Sequence, residues 1–213
     1  MEENKIHDDL AAIRSVMERS SKFISLSGLS GVLAGFYALI GAAVAYIVVY
    51  NNAPPYLDNE FLGSGAVHAR DYSFITFELF IVALVVLVAS IVTGFILTKN
   101  KAKRKGQAIW GKVSQSLLFY MTVPLVSGGV LIFIFLLRGY YGIVAPASLI
   151  FYGLSLVSAS NFTFTLVKYL GLCEIALGLV AACLPGYGLL FWAIGFGLLH
   201  IIYGSMMYLR YDR

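Results

Sequence analysis

Glu174 and His200 are the two side chains best placed to do chemistry in this chain. A carboxyl and an imidazole within reach of each other can share, pass or sense a proton. Both lie inside long apolar runs, where an ionisable group near the bilayer centre costs roughly 3 kcal/mol or more. The runs cover residues 162–184 and 188–209 and are joined by the turn Pro185-Gly186-Tyr187-Gly188. Folding the chain there, between Gly186 and Tyr187, pairs position 174 with position 199. At equal rise per residue, the carboxyl and the ring therefore reach almost the same depth. Helical spacing places Gly171, Glu174, Gly178 and Ala181 on one face of the first run. It places Ala193, Gly197, His200, Gly204 and Met207 on one face of the second. Small residues let transmembrane helices approach closely. The expectation is that these faces meet and that Glu174 and His200 lie within direct or one-water hydrogen-bonding reach. Tyr203, one turn beyond His200, adds a hydroxyl.

The pair has two readings. It is either a satisfied structural contact or a proton-responsive, solute-contacting centre. Secondary candidates are Glu78, about two turns inside the second apolar run, and Arg138, which could pair with it, as could Arg70. Lys168 lies near the inner end of the fifth run and can extend its stem to the interface. Cys173 and Cys183 would stand ~15 Å apart along a helix. That is too far for a disulfide, and they read as small packing residues. A haem would need a second axial ligand, and His7 and His68 lie outside the apolar runs. A metal site has too few ligands. No cofactor and no metal are expected. Gly28-Leu29-Ser30-Gly31 has the form of the rhomboid-protease motif, but its serine is on the first helix, whereas that family takes it from a later one.

The elements that position these residues are set by hydropathy. The chain is 60% hydrophobic and only 12% charged, about half the charge of a soluble domain. Six apolar blocks, near 24–50, 72–98, 113–137, 142–159, 162–184 and 188–209, are long enough to cross a hydrocarbon core of ~30 Å. The fourth is the shortest and carries Pro146, Ser148, Ser155 and Ser158. Pro124 predicts a kink in the third. The fold class is therefore all-α, a polytopic bundle of six transmembrane helices over 23–213. Residues 1–22 form a cytoplasmic tail in which Ile6, Leu10, Ile13 and Met17 predict a short amphipathic helix. The same register continues through Gly31, Ala34 and Ala38, a small-residue seam expected to lie against another helix. It leans the reading towards a homo-oligomer.

Charge sets the sides. Lys5, Arg14, Arg19 and Lys22, the six cations of residues 99–112, and Arg210 and Arg213 all fall on one side of a six-span chain, against Arg70 and Arg138 on the other. The positive-inside rule puts both termini in the cytoplasm. The Lys101–Lys105 segment is the topology determinant and a candidate site for anionic lipid headgroups. Nucleic acid is not an expected partner, because no recognition module accompanies the charge.

The start, DDLAAIRSVMERSSKFISLSGLSGVLAG, and the stretch Gly171 to Tyr208 resemble a family of bacterial inner-membrane proteins with no assigned function. The resemblance implies a bacterial inner-membrane location and no mechanism. The helix–proline–glycine–helix hairpin is also similar to HdeD-type acid-resistance membrane proteins, a likeness confined to that hairpin. The leading functional reading is an inner-membrane protein that moves or senses a small solute or proton through Glu174 and His200. The alternative is a non-catalytic anchor or regulatory subunit that recruits a cytoplasmic partner. A membrane-embedded enzyme is the third.

Overall fold

The computed structural model describes residues 27–52, 69–104, 106 and 110–212, with side chains over 27–49, 75–104, 106 and 110–211. The expected tail helix at 6–22, Lys105 and the Arg70 side chain lie outside the described residues. The described residues are helical and contain no strand. Among the described residues, six helices are long and apolar enough to cross a membrane, the fourth together with its flanking 3-10 turns as Tyr141–Phe162. They are α1 (Gly28–Asn52), α2 (Ala69–Arg104), α3 (Lys112–Leu137), α4 (Val144–Ala159), α5 (Thr165–Cys183) and α6 (Gly188–Tyr211).

The ends follow local chemistry. α3 runs unbroken through Pro124 and stops at Gly139, whose φ of 79° only glycine adopts readily. There the Gly139 N–H donates to the Leu136 carbonyl and the Tyr140 N–H to the Phe135 carbonyl, the paired bonds of a Schellman stop. The Tyr140 ring packs edge-on against Phe135. Gly186, at φ 93°, turns the chain between α5 and α6. α4 is flanked by 3-10 turns at Tyr141–Ile143 and Ser160–Phe162, and Pro146 falls in its first turn, where a missing N–H costs nothing. The weakest block in the sequence is thus well packed, because Ser155, fully buried, donates to the Met121 carbonyl of α3 at 2.9 Å.

α2 continues past its expected end near 98 to Arg104 and has 36 residues, about 54 Å of helix. Lys99, Lys101, Lys103 and Arg104 are therefore helical rather than part of a loop. Lysine and arginine are good helix formers, and cations favour the negative end of the helix dipole.

Close glycine contacts decide which helices pair. Gly153 and Gly171 cross backbone to backbone: a Cβ on Gly153 would lie 2.6 Å from the Gly171 carbonyl oxygen, and one on Gly171 2.7 Å from that of Gly153. Gly178 abuts Pro146 and Ile150. α5 thus packs on α4. α6 runs along α1, with Gly35 against the Gly197 carbonyl and Gly204 against Gly28, Gly31 and the Val32 N–H. This corrects one expectation. The stripes holding Gly171 and Gly178, and Gly197 and Gly204, do not face each other. They face α4 and α1 respectively, and α5 and α6 touch only lightly. The α1 seam meets α6 of the same chain at Gly31, Ala38 is 2% exposed and Ala34 half-buried. At Gly31, then, the seam is covered without a second subunit. α2 packs chiefly on α1 and α3 on α4.

Candidate functional site

Three helices place three polar side chains together. α5 supplies Glu174, which is 0% exposed, and α6 supplies His200, which is 7% exposed. α4 supplies Tyr152, whose hydroxyl lies 2.8 Å from His200 Nε2. Glu174 Oε1 lies 3.4 Å from His200 Nδ1. The two residues reach one depth even though their helices are not the close-packed pair expected from the small stripes.

A break in α6 explains the arrangement. The helix starts as α over Gly188–Trp192, widens to a π-helix over Ala193–Leu199, and returns to α at His200. The wider turns bring the Gly195 carbonyl, five residues back, to 3.0 Å from His200 Nδ1. A carbonyl only accepts, so the network assigns the hydrogen to Nδ1. In the neutral ring Nε2 is then the acceptor, and Tyr152 O–H donates to it. Both ring nitrogens are thus held. The rings of Tyr152, Phe196 and His200 also pack together, Phe196 stacked on His200 and Tyr152 tilted against both, with centroids 5.0 to 6.0 Å apart, and Trp192 extends the aromatic row through Phe196.

Glu174 is in the opposite condition. Neither carboxyl oxygen has a hydrogen-bond partner among the described residues, because the Nδ1–H beside it is aimed at the Gly195 carbonyl. Its pocket is tight. A Cβ on Gly195 would lie 2.5 Å from Oε2 and 2.5 Å from Leu149 Cδ2, and 3.2 Å from Leu177 Cδ2. A side chain at position 195 would force Glu174 or Leu149 to shift.

The other candidates stand apart. Tyr203 OH is 3.5 Å from Cys173 Sγ and bonds to neither Glu174 nor His200. No ion pair joins Glu78, which is half-buried, to Arg138, which is exposed; α2 and α3 each pack against a different neighbour, which keeps the two apart. Cys173 and Cys183 are free thiols. No group of three histidine, cysteine, aspartate or glutamate side chains converges among the described residues. Tyr152 is the residue that the sequence reading missed. It sits at the middle of the span Tyr141–Phe162, so the depth argument that selected Glu174 and His200 selects it too, once uncharged hydroxyls are admitted. The Gly195 carbonyl had no sequence signal, since π geometry does not show in hydropathy.

No protein-family model matches the chain, and no curated protein or solved structure matches it. The functional reading therefore rests on the geometry.

Proposed function

We propose that this chain is an integral membrane protein whose Glu174–His200–Tyr152 centre binds and releases a proton, serving as a proton sensor or as the proton-coupling point of a larger change. The observation that carries this reading is the Glu174 carboxyl, fully buried, 3.4 Å from His200 Nδ1 and without a hydrogen-bond partner among the described residues. A purely structural pair would satisfy its oxygens, since an orphaned buried polar group costs about 1–3 kcal/mol. A solute would need volume, and on the Gly195 side of the carboxyl, where a Cβ would lie 2.5 Å from Oε2, there is none. A proton is the one ligand that needs none.

The neighbours suit a change of one proton. The Tyr152 hydroxyl can donate to a neutral Nε2 or accept from a protonated one by rotating its hydrogen, with no heavy atom moving. The Glu174 carboxyl has no fixed donor that would hold it in one state. By the positive-inside rule the end bearing Lys99–Arg104 and Arg210 faces the cytoplasm.

The test is infrared difference spectroscopy between acid and alkaline pH on the protein in lipid nanodiscs. A carboxyl band from a buried group should titrate in the wild type and vanish in Glu174→Gln. Superimposable difference spectra for the two proteins would end the proposal.

A further inference from the structure

Phe164, 8% exposed, caps the start of α5 and stacks on Tyr211 of α6 with centroids 4.2 Å apart. Lys101 of α2 places its Nζ 5.6 Å over the Phe164 ring, and Arg210 places its guanidinium 5.7 Å over the Tyr211 ring. Ala102 is fully buried, so the last turns of α2 are packed rather than free. The ends of three helices thus converge, with a cation from α2 and one from α6 on a shared aromatic stack. Lys168 joins them from α5. It lies four residues beyond Phe164, about 6 Å deeper along the helix, and is exposed. It is the one charge on an outward strip of α5 formed by Thr165, Tyr169 and Leu172. Among the described residues, Asp212 is the acid at this end; Asp71 and Glu78 lie at the other end of α2, and Glu174 is buried at mid-span.

We infer that this corner of the bundle, Lys101, Lys168 and Arg210 around the Phe164–Tyr211 stack, binds the headgroup of an anionic phospholipid, whose acyl chains lie along the exposed strip of α5. Depth selects lipid over protein. An acidic peptide in solution reaches Lys101 and Arg210 at the helix ends, but Lys168 lies a turn inside the span, where its ammonium meets only what sits at headgroup level. Charge selects an anionic lipid over a zwitterionic one, because the corner brings three cations together. Exposed Trp110 and Tyr208 mark the same level, where aromatic side chains favour the interface. The site differs from the Lys101–Lys105 segment expected from sequence, since two of its three cations come from α5 and α6. It is independent of the proton centre.

Thermal unfolding in neutral detergent, with graded phosphatidylglycerol or phosphatidylcholine, tests it. Phosphatidylglycerol should raise the Tm more than phosphatidylcholine, with an effect that shrinks in salt. Apparent lipid affinity should fall about fivefold for each of Lys101→Gln, Lys168→Gln and Arg210→Gln, and Lys112→Gln should leave it unchanged. The preference is a ratio within each variant, so a variant of lower starting Tm still reports. Equal stabilisation by both lipids overturns the inference, as does a triple variant that keeps the preference. Inorganic phosphate or polyglutamate reproducing the full effect also overturns it, by showing a general anion site or a protein surface.

Discussion

The imidazole of His200 is fully engaged and the carboxyl of Glu174 is not, and this asymmetry makes opposite stability predictions for two residues in contact. His200→Ala strands the Tyr152 hydroxyl and removes a donor from the Gly195 carbonyl. It should destabilise the protein by ~1–3 kcal/mol. Glu174→Met keeps most of the volume and deletes two buried oxygens that have no hydrogen-bond partner among the described residues. It should leave stability unchanged or raise it by up to ~2 kcal/mol, while abolishing the proton response. Denaturation in a mild detergent series checks both. A Glu174→Met loss as large as that of His200→Ala would make the pair structural and remove the functional reading. A pair held by mutual hydrogen bonding would instead lose stability on removal of either partner. Tyr152→Phe should cost about 1 kcal/mol and shift the infrared titration of the carboxyl, since the imidazole next to it loses its Nε2 donor. Depth was legible in the sequence because rise per residue is fixed, so a turn and two positions suffice to align Glu174 with His200. Hydrogen bonding was not legible, because it depends on ring orientation and on the Gly195 carbonyl that the π segment exposes.

Helix existence was legible too, since blocks of apolar residues have no other stable form across a membrane. Helix pairing was not. A stripe of small residues says that a close approach occurs but not with which neighbour, and the stripes of α5 and α6 turned to α4 and α1. Adjacent glycines in α3 make the point testable. A Cβ on Gly128 would overlap the Phe151 ring and its Cβ, whereas Gly129 has nothing within 4 Å. Alanine is a better helix former than glycine by about 1 kcal/mol in water. Gly129→Ala should therefore be neutral or stabilising, and Gly128→Ala should cost ~1–3 kcal/mol through overpacking. Equal effects at the two positions would mean that α3 does not pack on α4 through Gly128. At the π segment the same logic couples two helices. Gly195→Ala drives a methyl against Glu174 Oε2 and Leu149, so its cost should shrink in the background of Glu174→Ala, the non-additivity expected of groups in contact.

At the scale of the molecule, orientation follows from where the cations sit. Gly28 of α1 meets Tyr208 of α6, Lys101 of α2 meets Phe164 of α5, and Phe164 stacks on Tyr211 of α6. Those contacts gather the start of α1, the end of α2, the start of α5 and the end of α6 at one end of the bundle. That end carries Lys99, Lys101, Lys103, Arg104, Lys168 and Arg210. The opposite end, where α3 stops and α4 begins, carries Arg138. Translocating a cluster of cations across a bilayer is opposed by both its hydration and the membrane potential, so the cluster should stay in the cytoplasm. Single cysteines in a background lacking Cys173 and Cys183 check this with a membrane-impermeant thiol reagent in intact cells. Lys103→Cys should react only after the membrane is opened. Gly142→Cys, on the exposed turn before α4 with nothing within 4 Å of the added Cβ, should react in intact cells. The reverse pattern inverts the topology and would move the lipid site of Lys101, Lys168 and Arg210 to the opposite leaflet. The proton centre would be unaffected, because Glu174 lies at mid-span and its place does not depend on which end faces in.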